Sequence, residues 1–448
     1  MSKKNIYLII SILILVTIIF IKPFGLDFNQ SMILGSVIMV ILWWGTNCIS
    51  KSLASIIIIT IFFIFSDSSP QTILKFPLSS NLILIISSYL IAHGIKVSGL
   101  ADRISRLIIS RYANSSFSLI VLSFVLSFIL IFLIPQTFPR AIILAAIYEE
   151  YLSKEKISSR QKSIVLFSVF VAVSVTSMAF INGDVILNNA AIQFAGLKLS
   201  YTEWVKYMFI PSIIISVFMF VGFVISFYKD IKGDKFEPKR MNVEKTGFTS
   251  MEKKGGIITA LIILLWTMEP IHNIDAAWVS VLGVIIMHVL GLIKLKDYKI
   301  VKLDLLLFLT AAFSIGGVLN EEGIAGIIFN KILPSTNSDN MLVFYSILVV
   351  MALHMILGSS MTTMSICMPV IMSSLPNTIN PISMMLIIYT IINVHYILPI
   401  HHVVIMIGEG EGHYHSSMTI KYGVFLSILA FISVYLILIP YWKIVGLF

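Results

Sequence analysis

Ile134-Pro135-Gln136-Thr137-Phe138-Pro139-Arg140 interrupts an apolar run, Leu119 to Leu133, that is long enough to lie mostly inside a lipid bilayer. Prolines, polar residues and an arginine at that depth conflict with a lipid-facing helix, because freed backbone groups and a buried cation are costly in hydrocarbon. A counterpart, Gly358-Ser359-Ser360-Met361-Thr362-Thr363, follows the apolar run Met341 to Leu357. Ser359 lies 224 residues after Pro135, half of the 448-residue chain. The two interruptions read as the tips of two copies of one unit, presented to each other around a binding site.

The composition agrees with that reading. The chain is 58% hydrophobic and 12% charged, where a soluble domain carries about 25% charged residues. It is an all-α polytopic membrane protein with room for about 11 transmembrane helices and no large soluble domain. The formal charge of +9 does not signal nucleic acid, since the lysines and arginines sit in loops between apolar runs, the positive-inside pattern. Cys48 and Cys367 lie in apolar settings, so neither a disulfide framework nor a cysteine metal site is expected. Lys3-Lys4 and the apolar run Ile6 to Ile21 resemble a signal sequence without a small-residue cleavage site. This predicts a retained first helix, residues 1–29, with its N-terminus in the cytoplasm and the chain in the cell (plasma) membrane.

Spans are expected at about 30–48, 53–66 and 82–100, followed by an amphipathic stretch whose Arg103, Arg106 and Arg111 suit a helix on the cytoplasmic surface. Lys154, Lys156, Arg160 and Lys162 place the segment after the first interruption inside as well. Both arms of residues 117–148 thus begin and end on one side, which makes a re-entrant hairpin. Residues 163–180 enter again and break at Asn182-Gly183-Asp184, with Asn188-Asn189 close behind, and a span at about 207–228 returns to the loop 229–255. That loop holds eight Lys/Arg against five Asp/Glu and separates two halves.

The second half repeats the plan. Leu42-Trp43-Trp44, Ile49 and Ala54 recur as Leu265-Trp266-Thr267, Ile271 and Ala276 at offsets of 222 to 223, and Tyr89, Gly99 and Ala101 recur as Phe313, Gly323 and Ala325 at 224. Lys294, Lys296, Lys299 and Lys302 mark an inner loop, whereas no Lys or Arg occurs from 332 to 420, so the second hairpin opens from outside. The expected layout is two inverted repeats, two re-entrant hairpins and two broken helices. The first repeat, 30–228, divides into a scaffold (30–112) and a hairpin with broken helix (115–228). The second, 256–448, divides likewise into 256–333 and 339–448. Inverted repeats whose broken helices meet at midplane are a secondary-transporter architecture.

With these features in place the chain resembles the divalent anion/sodium symporter family of the ion-transporter superfamily. The resemblance rests on Leu265-Trp266-Thr267-Met268-Glu269-Pro270-Ile271-His272-Asn273-Ile274-Asp275-Ala276-Ala277, on Gly316–Gly323, on Leu398-Pro399 followed by Gly408–Gly412, and on the terminal Lys421-Tyr422-Gly423 and Ile439-Pro440-Tyr441-Trp442. It implies a homodimer whose protomers each combine a fixed scaffold with a moving transport part. It also implies that each hairpin tip carries Ser-Asn-Thr, which in the family binds sodium and the substrate carboxylate. The matching positions here are Pro135-Gln136-Thr137 and Ser359-Ser360-Met361, with no asparagine in either. The departure argues against sodium coupling.

The residues can then be weighed. Arg140 is either an anion ligand, or a fixed charge in the role of a missing sodium ion, or a structural ion pair, with Asp184 its obvious partner. His401 and His402, just past Pro399, are either proton-coupling or substrate-donor groups, or helix-packing histidines bonded to backbone. His93, His354 and His395 each stand alone in apolar runs and read as satisfied core histidines. Gly408-Glu409-Gly410-Glu411-Gly412-His413-Tyr414-His415 has metal-ligand chemistry, but its glycines suit a flexible, solvated loop. Glu269, Glu321 and Glu322 fall at span ends and read as interfacial.

The sequence therefore predicts a secondary active transporter of a small anion, a di- or tricarboxylate or a sulfate-like oxyanion, working by alternating access of the elevator type. Sodium-independent exchange or proton coupling is expected, and no cofactor or resident metal. The expected substrate ligands are Gln136, Thr137, Arg140, Asn188, Ser359, Ser360, Thr362, Thr363, Pro399, His401 and His402. Pro135, Asn182, Gly183, Asp184, Gly358, His401 and His402 are the expected ion-coupling positions. The alternatives are a cation-handling permease of the same superfamily (sodium/proton antiporter or arsenite-type), suggested by Asp184, and a membrane metalloenzyme using His401, His402, Glu409 and His413. The repeat symmetry disfavours the enzyme, and no soluble-enzyme motif occurs.

Overall fold

A computed structural model describes residues 3–46, 48–153, 155, 157–232, 247–332, 338–373 and 375–448. Lys154, Lys156 and residues 233–246 of the basic loop lie outside the described residues. The described chain is helical throughout, with no strand. Six helices are long and apolar enough to cross a membrane: Lys4–Ile21, Ser80–Ser98, Ser159–Ala179, Tyr201–Ile231, Leu303–Glu321 and Ser416–Val445. Seven shorter apolar helices fill the space between them.

The short helices are what the interruptions require. The first arm, Ser116–Ile129, has 14 residues, a rise of about 21 Å against a hydrocarbon thickness of about 30 Å. Leu130 to Gln136 turn without regular helix, and the chain returns as Thr137–Ser153. Pro139 is tolerated because it lies in the first turn, where its missing N–H has no partner to lose. At the second interruption Gly358 takes a left-handed conformation, φ +61°, and its N–H closes on the His354 carbonyl at 3.1 Å. A Cβ there would stand 2.9 Å from Ile400 Cδ1, so glycine serves both the turn and the close approach. The return helix is Ser360–Ser373.

The order of elements in the first half recurs in the second. Phe28–Thr46, Lys51–Phe65, Ser80–Ser98 and Leu100–Tyr112 are followed by the hairpin, the broken helix and Tyr201–Ile231. Ser250–Thr267, Ala276–Val289, Leu303–Glu321 and Ile324–Ile332 are followed by the same sequence of pieces. Packing is reciprocal. Ser80–Ser98 lies on Ala276–Val289, and its counterpart Leu303–Glu321 lies on Lys51–Phe65. The broken-helix piece Val185–Phe194 packs on the second hairpin's Ser360–Ser373, and Val403–Gly410 packs on the first hairpin's Thr137–Ser153.

Two expectations need correction. The first broken helix ends at Thr176, so its break spans Ser177 to Asp184 and begins well before Asn182. Ser174, Thr176 and Ser177 hydroxyls bond back to the Val171, Ala172 and Ser174 carbonyls at 2.6–2.8 Å, which competes with continuation of the helix. Gly408 to Gly410 belong to the helix Val403–Gly410, not to a flexible loop. A Cβ on Gly408 would meet the Tyr414 ring at 2.7 Å and Phe170 at 2.8 Å, so this glycine permits close packing under two aromatic rings.

Candidate functional site

The first break is assembled from carbonyls the helix leaves unpaired, and buried polar groups in a membrane protein have to be met from within. The Asn188 amide donates to Ser177 O at 3.1 Å, Phe180 O at 2.9 Å and Ile181 O at 3.2 Å, and its own oxygen accepts from Tyr389 Oη at 2.5 Å. Trp204 Nε1 holds Met178 O at 3.0 Å. Gly183 is forced: a Cβ would lie 2.2 Å from Ser177 O.

Arg140 closes the first tip onto this break. It is fully buried in the first turn of Thr137–Ser153, a position the helix dipole makes unfavourable for a cation. Three carbonyls offset that cost. Nη1 donates to Ile134 O at 3.1 Å, and Nη2 donates to Gly183 O at 3.1 Å and Val173 O at 3.5 Å. The cation thus joins the hairpin turn, the broken helix and the break. Asp184 is also buried and directs its carboxylate at the N-terminus of Val185–Phe194, accepting from Ile186 N at 3.2 Å and Leu187 N at 3.1 Å. Its second oxygen accepts from Thr137 Oγ1 at 2.9 Å. Among the described residues, Gln136 Nε2 and Asn182 Oδ1 are buried without a hydrogen-bond partner.

The second tip and break are built differently. Helix Pro381–Val394 stops before Leu398, whose extended conformation (φ −106°, ψ 151°) is what a following proline requires. The His401 carbonyl accepts from Ser360 Oγ at 2.9 Å and lies 3.0 Å from His354 Nε2. His401 Nδ1 accepts from Ile397 N at 3.2 Å and Leu398 N at 3.3 Å. Thr363 bonds back to Ser359 O at 2.9 Å, and Ser359 Oγ accepts from Thr362 N at 3.5 Å. Gly423 of the last long helix touches this break, since a Cβ on it would lie 2.6 Å from Ile397 Cα and Tyr396 O.

Gln136, Thr137, Arg140, Asn182, Gly183, Asp184 and Asn188 are therefore gathered at the first tip and break. Gly358, Ser359, Ser360, Thr362, Thr363, Pro399, His401 and His402 are gathered at the second. The sequence missed His354 and His395, which the second half brings beside His401: the His354 ring centroid is 5.4 Å from that of His401 and 6.0 Å from that of His395. It also missed Tyr389. A cavity of about 610 Å³ opens beside the first break, lined by Asn182, Asn189 and Gln193 on one wall and by Ser80, Asn81 and Leu84 on the other. Asn81 Nδ2 reaches across it to Gln193 Oε1 at 3.1 Å.

Two arrangements bear on ions. A hard cation such as sodium takes oxygen ligands. At the first tip the carbonyls of Ile134, Val173 and Gly183 accept from Arg140, and the second tip carries serine and threonine hydroxyls as well as imidazoles. The Glu409–His415 stretch does not join His401 and His402. His413 Nδ1 instead meets Glu149 Oε1 at 2.8 Å and its Nε2 lies 3.7 Å from Glu411. Among the described residues no group of three or more His, Cys, Asp or Glu is arranged to hold a metal ion.

No curated protein shows a significant match to the chain. Residues 2–448 match the family described as the sodium:sulfate symporter transmembrane region. Coverage of nearly the whole chain, on an all-helical architecture of apolar helices, shows that it belongs to this family of divalent anion/sodium symporters and is a membrane transporter.

Proposed function

We propose that the chain carries a small anion across the cell membrane by alternating access, without sodium, at the place where two hairpin tips meet two helix breaks. The observation that carries this reading is the Arg140 guanidinium, buried and held by the carbonyls of Ile134, Gly183 and Val173. A permanent cation in that cage supplies the positive potential that a bound ion would otherwise provide. The hydroxyls of Ser359 and Thr362 and the helix N-termini at the tips provide donors for an oxyanion. Asp184 does not favour the cation-handling alternative, since its oxygens serve Ile186 N, Leu187 N and Thr137.

The moving unit in this reading is the pair of hairpins with their broken helices, residues 115–228 and 339–448. The scaffold is 30–112 with 256–333, the N-terminus is cytoplasmic, and two protomers pair through their scaffolds. Substrates of the di- or tricarboxylate or sulfate type fit the proposed site. Uptake of labelled sulfate and labelled succinate into proteoliposomes, with and without an inward sodium gradient, tests the proposal. Equal uptake in both conditions is expected, and sodium-driven accumulation of either anion would overturn it.

A further inference from the structure

The two halves of the site balance charge differently. The first half holds a cation and an anion of its own, Arg140 and Asp184. The second half holds neither, but it collects four of the nine histidines in the chain. His354 and His401 are fully buried, and His395 and His402 nearly so. His354 comes from the first arm of the second hairpin, and the other three come from the break between Val394 and Val403. Among the described residues each ring keeps at least one nitrogen without a hydrogen-bond partner: His354 Nδ1, His395 Nδ1, His401 Nε2 and both nitrogens of His402. Unpartnered ring nitrogens in one buried cluster are costly, and a proton is a species that they can accept.

The surroundings decide which cation the cluster can accept. The elements packed on it contribute Tyr396, whose ring lies 5.7 Å from that of His402, together with Tyr389 and Cys367. Of the charged groups on those elements and on Ser416–Ile432, Asp339 is bonded to Thr378 Oγ1 at 2.8 Å, Arg160 to Asp230 at 2.7 Å, Lys421 lies 4.7 Å from the Phe227 ring centroid, and Lys162 and Glu409 sit at helix ends. Arg140 and Asp184 serve the first tip. Tyr148, Tyr151, Glu149 and Glu150 lie farther along Thr137–Ser153, with Tyr148 bonded to Leu119 O and Glu149 to His413. Among the described residues, no carboxylate is in hydrogen-bond or ion-pair contact with any of the four imidazoles. An imidazolium here has no counter-charge from the protein, and an uncompensated buried charge is expensive. An anion seated at the second tip supplies the missing charge, because Ser360 and His354 both contact the His401 carbonyl at that tip.

We propose that His354, His395, His401 and His402 form a substrate-linked proton site, so that the transported anion and one proton occupy the second half together. On the loading side a proton leaves hydronium or buffer acid and forms an N–H bond on one ring nitrogen as the anion enters. On the release side that N–H bond breaks and the proton passes to water as the anion departs. The empty cluster is neutral and the loaded cluster carries +1, so a divalent anion such as sulfate or succinate crosses with one net negative charge in place of two. This inference rests on the anion-transport reading above, and it adds the coupling ion and the residues that carry it.

The test uses the full chain in proteoliposomes without sodium. Counterflow of labelled sulfate and of labelled succinate at symmetric pH 7 reports transport alone. Uptake under an inward acid gradient, with trapped pyranine following internal pH, reports coupling. For the wild type we expect counterflow of at least one probe, several-fold stimulation of its uptake by external acid, and internal acidification on adding the anion. In His354→Gln the ratio of acid-driven uptake to that variant's own counterflow falls at least five-fold, and His395→Asn gives a second measure of the same ratio. Wild-type counterflow with neither acid stimulation nor internal acidification overturns the proton site and leaves anion transport standing. An unchanged ratio in both variants also overturns it. Absence of counterflow for every probe overturns the transport reading, and the proton site with it.

Discussion

Arg140 and Asp184 show how much a single residue can be understood from its neighbours. In the sequence, the arginine at that depth was legible as a residue with a purpose, and its link to the first tip followed from spacing alone. Its partners were not legible, because the acceptors are carbonyls of Ile134, Val173 and Gly183, and backbone atoms leave no mark in the residue pattern. Asp184 was legible as a polar break residue but not as the cap of the helix it opens. Among the described residues the expected ion pair between them does not form: Arg140 bonds to carbonyls, and Asp184 to Thr137, Ile186 N and Leu187 N. Removing the guanidinium leaves three carbonyls and one carboxylate uncompensated, so Arg140→Ala should cost on the order of 3 kcal/mol. Asp184→Asn keeps an acceptor for the helix N–H groups and removes the charge, so it should cost less. Because the residues share one cage, the double variant should be less destabilised than the sum of the two by about 1 kcal/mol or more. Thermal unfolding of the three purified variants in detergent measures this, and strict additivity would show that the two charges act separately.

At the scale of elements, the amphipathic helix Leu100–Tyr112 joins units that the proposed mechanism separates. Its arginines were expected to face the cytoplasmic surface, and the structure shows what two of them hold. Arg103 Nη1 lies 3.0 Å from Glu252 Oε2, at the start of Ser250–Thr267. Arg106 meets Asp102 at 2.7 Å and Glu150 of the first hairpin at 2.6 Å. Two arginines one turn apart on the helix thus tie it to the scaffold and to the hairpin. Glu252 and Glu150 lie 149 and 44 residues from their arginines in the chain, distances over which a sequence pattern carries no pairing information. The Arg106 pairs are partly exposed, so each should contribute under ~1 kcal/mol. Arg106→Ala should therefore leave thermal stability almost unchanged and loosen the connection between units. Hydrogen exchange followed by mass spectrometry should show faster exchange in residues 100–112 and in the cytoplasmic end of Thr137–Ser153. Unchanged exchange there would mean the helix is held by its buried apolar face alone.

At the scale of the whole molecule, the recurring order of elements was legible because spacing is preserved to within a residue or two from Trp43 and Trp266 through the hairpin tips. The departure from symmetry was not, since it depends on which units touch. Leu303–Glu321 packs along the second hairpin's Ser360–Ser373, whereas its counterpart Ser80–Ser98 reaches Val185–Phe194 and leaves the 610 Å³ cavity beside it. In the proposed alternating-access reading, two halves packed unequally are one of two conformations, and exchanging their packing generates the other. In the topology the charges predict, the Ser80 end of that helix faces outside, so the cavity in this conformation is open to the exterior. Gln193 lines the cavity, and Glu411, in the turn after Val403–Gly410, is exposed at the end predicted to face inside. In a chain whose Cys48 and Cys367 are replaced by serine, Gln193→Cys should react with a membrane-impermeant maleimide added to intact cells. Glu411→Cys should react only after the membrane is opened. The opposite pattern would reverse the topology, and with it the side from which each hairpin enters. Equal labelling of both from outside would break the link between the cavity and a single open face. If the expected pattern holds, an anion probe that drives alternating access should reduce Gln193→Cys labelling, because exchanging the packing of the two halves closes this cavity as it opens its counterpart.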